Sequence, residues 1–550
     1  MLEANQLLAS VLAITLASAI AGVFVLHRGP ARRTVRRRCA WLLWGCAAIS
    51  LLSWLRFGHL QVAYIDAPEV TPGSLGRRKV EAHMPLHFHE FFHYYLGAKY
   101  FRELGYEGLY DCTALADAEI AAEQGVPPRI GGYVRDLHDV LSDKTYEESK
   151  RHCREQLRPG ISAARWASFQ DDLRELQRLV PDEWWDPVVH DAGFNAPPSW
   201  VVVDSAIANV IPIRLGTSPT FLVATTLDMV LILVCFRALR RFFGAAAAAM
   251  AAIYFGATFV ASYDWTGGAF LRYTWVASLV FALAATYRGR WMLAGALFAA
   301  ATCDRLFPLG FAVGAVLPLA VRALRSPDDR RRLLRFAIGF SAVVAGLVVL
   351  GTVVFGAESW HVFYGRILRH GDVYFVMNIG LKRVLTWRHW VPAQTFRGHL
   401  GMQTFHDWNL RLRSTWAGMW PVAIPMQIVA VGGAAYAGSP RRPHESSLLF
   451  GVVVMFFLSM PANYYYVVLA LVPAMLLRAA ATAPSPRRRL REYAALTAFT
   501  AFSMTTLLSS RISPDDIAYN HLICVALLVF LTAWIALWVE PSRRVLRSVR

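Results

Sequence analysis

The chain has 550 residues, 56% of them hydrophobic, and 56 Lys+Arg against 38 Asp+Glu give a formal net charge of +18. Its apolar residues come in long blocks rather than at the spacing of a half-buried core helix, which excludes an ordinary soluble domain. The positive charge is spread over short connectors instead of forming one patch or stripe, so nucleic acid is not an expected partner.

In chain order the blocks begin with Leu7–Leu26, Trp41–Leu55, Phe221–Leu239 and Phe243–Val260. Others follow at 273–288, 291–303, 306–324, 335–356, 416–437, 447–461, 463–479, 493–509 and 520–538. Most approach the roughly 17–25 residues that cross a hydrocarbon layer, and several fall short. The expected fold class is an all-α integral membrane protein with about thirteen transmembrane helices, the short blocks leaving a range of about eleven to fourteen.

Arg32–Arg38, Arg237–Arg241, Arg322–Arg335, Arg441–Arg442, Arg487–Arg491 and Arg543–Arg550 fall in alternate connectors. By the positive-inside rule these are cytoplasmic, which places the N-terminus outside and the C-terminus inside. The first span follows an uncharged-to-acidic start and precedes an Arg cluster, the reverse of a secretory signal, and reads as an anchor. The expected location is the cytoplasmic membrane. The chain divides into N-terminal spans (1–57), an extracytoplasmic loop domain (58–218), central spans (219–356), a second outer loop (357–415), and C-terminal spans with a cytoplasmic tail (416–550).

Residues 58–218 carry 24 Asp+Glu against 16 Lys+Arg, are rich in aromatics, and are long enough to fold. An amphipathic helix is expected from His87 to Leu104, with Phe88, Phe91, Tyr95 and Ala98 on an apolar face lying in the membrane interface. Tyr146–Leu157 and Ser162–Leu179 read as helices. Pro197 and Pro198 then turn the chain before the apolar run Val201–Ile213, which suits an interfacial helix. Cys112 and Cys153, the two of the seven cysteines in this loop, are a disulfide candidate or two unpaired thiols.

His89-Glu-Phe-Phe-His93 matches H-E-x-x-H, in which two histidines on one helix face hold Zn2+ and the Glu activates its water. No third ligand stands at a usual spacing, although His87 and Glu107 are near. A wider window reads differently. Glu90-Phe-Phe-His-Tyr-Tyr-Leu-Gly-Ala-Lys-Tyr-Phe101, followed by Leu104-Gly-Tyr-Glu-Gly-Leu-Tyr-Asp111, resembles the first outer loop of the C-type (GT-C) glycosyltransferases, in a bacterial branch that uses polyprenyl-phosphate sugars. Phe194-Asn-Ala-Pro-Pro198 stands where that branch has a proline turn back to the membrane. Arg305-Leu-Phe-Pro308 and Asn378-Ile-Gly-Leu-Lys-Arg383 are similar to two of its other outer elements. The acidic position is Glu90 where the family has Asp.

The resemblance implies a GT-C-like fold and transfer of a sugar from a polyprenyl-phosphate donor to an acceptor outside the membrane, with inversion and without a metal. Membrane lipids are the remaining expected partner; neither sugar nor acceptor is specified. Such a transfer needs a base for the acceptor proton and cations for the leaving phosphate. Glu90 is the candidate base, against a plain reading as an exposed carboxylate on a surface helix. Asp191 and His93 are candidates for positioning the acceptor; an Asp before Ala-Gly is also a common turn residue. Arg305, Arg272, Lys382 and Arg383 are candidate phosphate clamps. Arg305 alternatively pairs with Asp304, and Lys382 and Arg383 alternatively touch lipid headgroups. His89 and Tyr94 are placed beside the substrate, Tyr94 with packing as its plainer role; His370 and Asp372 are weaker candidates. A zinc hydrolase on His89 and His93 and a transporter remain as other classes. Spans mostly free of charge, with polar groups gathered on one face, favour an interfacial enzyme over a transport path.

Overall fold

The computed structural model describes residues 2–26, 33–68, 77–180, 182–211, 219–258, 260, 263, 267–396, 401–512 and 515–539. The basic tail Arg543–Arg550 and connector residues 264–266 lie outside these. The apolar blocks are largely helical, as lipid demands of a backbone that finds no water to bond, although 243–260 and 416–437 each run across a break between two helices. Five helical stretches are long and apolar enough to cross a membrane: Glu3–Leu26, Pro327–Phe355, Trp420–Gly438, Asn463–Thr482 and Asp516–Trp538. Ala245–Ala257, Thr274–Tyr287, Trp291–Asp304, Leu309–Ala323 and Pro443–Leu458 are equally apolar but shorter. The protein is a nearly all-α chain with the helices of a membrane protein. Among the described residues the sheet content is two antiparallel ribbons: Gln61–Pro68 with Arg77–Met84, in register from Gln61↔Met84 to Pro68↔Arg77, and Tyr133–Arg135 with Asp143–Thr145.

Burial differs sharply among the spans. Asn463–Thr482 runs through the middle of the bundle, 78% buried over its most apolar window, whereas Pro327–Phe355 is 11% buried. The latter leaves Val349 and Val353 open on a helix apolar all round, the expected state of a face that meets lipid. Its inner side touches Trp291–Asp304 through Gly339 and Gly295. A Cβ on either would come within 2.0 Å of the other helix's carbonyl oxygen, so the absence of side chains sets this approach.

The outer loop has its own core, built on Phe91, Tyr95, Tyr110, Leu173 and Trp185. Here the expectation of an interfacial helix over His87–Leu104 is corrected. The segment is α-helical at Phe88–Glu90, a π-helix at Phe91–Leu96 and α-helical at Gly97–Lys99; Tyr100 interrupts it before Phe101–Leu104. Residues 91–101 are buried on every side, so it is a core helix with no wet face. Even Lys99 is enclosed, paired at 2.6 Å with Asp172, which also accepts a 2.6 Å hydrogen bond from the Tyr100 hydroxyl. Cys112 and Cys153 are joined in a disulfide with Cα atoms 5.0 Å apart. It ties Gly108–Gln124 to the helix that opens at Tyr146 behind a Thr145/Glu148 capping box. The apolar run after the two prolines is a helix, Pro198–Val210, with Pro198 in its first turn. It packs on Pro327–Phe355, and Ser199 donates to the Cys303 carbonyl at 2.8 Å. That contact docks the loop domain on the bundle.

Candidate functional site

A cavity of about 410 Å³ opens where the loop domain meets the helix ends. Its wall comes from five stretches distant in sequence, within 90–94, 191–197, 305–307, 363–378 and 459–465.

Glu90, His93 and Asp191 all line this cavity, as do Tyr94 and Arg305. Glu90 ends a single helical turn whose N-cap, His87, accepts from the Glu90 N–H at 3.2 Å. The Glu90 carboxylate, 12% exposed, is ion-paired with the buried Arg272. Arg272 is held at its backbone by Asp228, which accepts from the N–H groups of Arg272 and Tyr273 at 2.8 and 2.9 Å. Leu271 just before it adopts φ of 54°, a left-handed conformation that disfavours any residue with a Cβ. The Arg272 guanidinium lies 3.9 Å from the centroid of the Tyr464 ring and 5.6 Å from that of Tyr94.

Arg305 pairs with Asp304 at 2.7 Å, so the alternative read from sequence is realised while Arg305 still lines the cavity. Thr274 donates to the other Asp304 oxygen at 2.6 Å, and the guanidinium lies 5.2 Å from the Tyr94 ring centroid. Tyr94 therefore stands beside both arginines, a more specific place than packing alone. Arg272 Nη2 and Arg305 Nε are buried and have no hydrogen-bond partner among the described residues. A buried N–H left unmatched is a strong demand for an acceptor.

On the other wall, Asp191 is 46% exposed and its oxygen is 3.7 Å from Nδ1 of the buried His93. The His93 Nε2 lies 2.6 Å from the Tyr110 hydroxyl and 3.2 Å from the Val188 carbonyl. Burial lowers the His93 pKa below the ordinary 6.5, with Asp191 opposing, so the ring is neutral near pH 7. Burial would raise the Asp191 pKa, but His93, His89, the Ala192 N–H and Arg135 together hold it lower, and it is a carboxylate. The turn after it needs Gly193, with φ of 69°, whose N–H donates to Tyr110 at 3.1 Å; a Cβ there would meet Leu137 at 2.7 Å.

Other candidates stand elsewhere. Lys382 and Arg383 do not line the cavity: Lys382 is 3.5 Å from Asp372 and lies over Trp416, and Arg383 is buried over Trp408. Their helix, Leu381–Leu385, starts past the cavity rim, and only Asn378 of that motif lines the wall. His89 and Arg272 also fall outside the lining, His89 with its ring 5.9 Å from that of Trp184 and Arg272 reaching the site through its ion pair with Glu90. Among the described residues no group of three His, Cys, Asp or Glu stands where it could share a metal ion. The intervening π-helix and the Tyr110 contact of His93 take the H-E-x-x-H string out of its usual geometry.

Sequence reading passed over Asp228, Arg366, Tyr110, Tyr464 and Tyr465. A lone Asp in the run Thr226-Leu-Asp-Met-Val230 was the available signal for Asp228. Arg366 fastens Glu358–Asp372 over the cavity, donating to the Ala192 carbonyl at 2.9 Å, the Tyr106 carbonyl at 3.1 Å and the Asn195 side chain at 3.2 Å. His370 on the same helix lines the cavity, and burial with Arg366 nearby pushes its pKa down to about 4. The tyrosine pair has no signal of its own along the chain; the fold brings it to Arg272. In comparisons with family models, curated proteins and solved structures, nothing matches this chain.

Proposed function

We propose that this is a GT-C-like membrane glycosyltransferase of about thirteen spans, moving a sugar from a polyprenyl-phosphate donor to an extracytoplasmic acceptor. One observation carries the reading. A carboxylate, Glu90, and the Arg305 guanidinium line a single cavity at the end of an apolar bundle, with Arg272 ion-paired to Glu90 behind that wall; each guanidinium has a buried N–H without a hydrogen-bond partner among the described residues. The cavity wall is apolar at Leu306, Phe307, Phe363 and Ile367, and Leu306 and Leu309 are exposed beside it, as the entry of an isoprenoid tail requires.

In this reading the donor phosphate occupies the free N–H bonds of Arg305 and Arg272 and competes for Arg272, loosening its hold on Glu90. The acceptor hydroxyl oxygen attacks the anomeric carbon and its proton passes to Glu90. The bond from that carbon to the phosphate oxygen breaks, and the lipid phosphate leaves with the electron pair, its charge matched by the two arginines. Asp191, oriented by His93 and Tyr110, holds the acceptor by a second hydroxyl. No step requires a resident metal.

The test is transfer from a panel of radiolabelled polyprenyl-phosphate sugars by purified protein in nanodiscs, with bound zinc measured alongside. Glu90→Gln is expected to lower turnover by about 10²–10⁴-fold, the usual worth of a general base, while His89→Ala retains most activity. Wild-type turnover in Glu90→Gln, or stoichiometric zinc lost with His89, overturns the reading.

A further inference from the structure

A second hollow, of about 460 Å³, lies between the ends of five helices at the other end of the bundle. Arg33, Arg36, Arg37 and Arg478 line it, and no Asp or Glu among the described residues does. Its floor is apolar, formed by Phe24, Phe243, Leu477 and the alanines at 245–247. The helical stretch Asn463–Thr482 links the two places: its start delivers Tyr464 and Tyr465 to the first cavity, its end Leu477 and Arg478 to this one. At about 2.0 Å per residue over the 3-10 part and about 1.5 Å over the α part, the separation is roughly 24 Å, most of the roughly 30 Å of a hydrocarbon core.

We propose that this hollow is a binding site for one net-anionic phospholipid, its phosphate among the arginines and an acyl chain along the alanine floor. Arginines at a cytoplasmic membrane edge are ordinarily solvated, and two observations set these apart. The Nε atoms of Arg36 and Arg478 are buried and lack a hydrogen-bond partner among the described residues, although each side chain is otherwise engaged: Arg36 lies 4.3 Å from the Phe24 ring centroid, and Arg478 donates to the Tyr287 hydroxyl at 3.1 Å. The cations also share one concavity without a carboxylate, a repulsive arrangement that an anion relieves. Phosphate oxygens suit the guanidinium forks, and the apolar floor asks for a tail that free phosphate does not have. The proposal is independent of sugar transfer at the outer cavity.

Delipidated full-length protein, titrated in detergent and read by native mass spectrometry, tests it. Wild type is expected to take up one phosphatidylglycerol ahead of phosphatidylcholine, with inorganic phosphate failing to displace it. At about one charge contact each, Arg36→Gln with Arg478→Gln should weaken uptake roughly thirtyfold, while Arg36→Lys stays within about fivefold of wild type. Should the double variant misfold, Arg37→Gln, an exposed change, must still weaken uptake by about fivefold. Unchanged uptake in the variants overturns the site. Displacement by inorganic phosphate alone overturns its assignment to a lipid.

Discussion

The two hollows at opposite ends of the bundle use arginine in opposite states. At the outer cavity each guanidinium has a dedicated acid: Glu90 for Arg272, Asp304 for Arg305. At the other end four arginines share a space with none. A matched buried arginine is part of the architecture, and a ligand engages it by competing for it or by taking up its spare N–H bonds. An unmatched one is a standing demand for a counter-ion. The difference separates a site where charge is held ready for a reaction from one where charge retains a resident molecule.

Breaking the match at the outer cavity should have the larger effect on stability. Asp304→Asn leaves Arg305 buried without its partner and is expected to cost about 3–5 kcal/mol, read as a lower unfolding midpoint in detergent; adding Arg305→Met should recover most of it. Equal stability of wild type and Asp304→Asn would show that the pair is not what holds the cavity wall. A smaller effect belongs to the histidines around Asp191. His370 is lowered to about 4 against 6.5 in an unfolded chain, and His89 and His93 are lowered too. The unfolded chain thus takes up protons first as pH falls from about 6.5 to about 4, and the fold loses stability across that window. Thermal unfolding followed from pH 7 to pH 4 should show the fall in wild type and a shallower one in His370→Gln; parallel curves would remove His370 as a source. The smallest effect is expected at the inner hollow. In detergent without anionic lipid, Arg36→Gln should change the midpoint little or raise it, since it relieves repulsion. A marked loss there would mean that Arg36 has an internal partner after all, and the contrast between the two ends would fail.

The sequence by itself determined the class of molecule, because lipid imposes a length and a polarity on every span that a linear reading can detect. The apolar blocks are largely helical, and the two outer loops and the Asp304–Arg305 connector read from charge alternation supply four of the five stretches that converge on one cavity. Glu90, His93, Asp191 and Tyr94 were legible as candidates through the resemblance of the outer-loop motifs, and Arg305 also because an arginine between two apolar blocks is costly without a partner. What tertiary structure alone decided was partnership and distance. The hidden flanks of Tyr100, Lys99 and their neighbours come from the loop core packing around them, which periodicity along one helix does not register. Lys382 and Arg383 follow Asn378 by only a few residues yet leave the cavity, because the helix Leu381–Leu385 turns them toward Asp372 and Trp408. Glu90 and Arg272 stand 182 positions apart, and their pairing depends on how a loop domain seats on a bundle. Such an ion pair leaves no local pattern in either segment, since its energy arises only when both charges are withdrawn from water together.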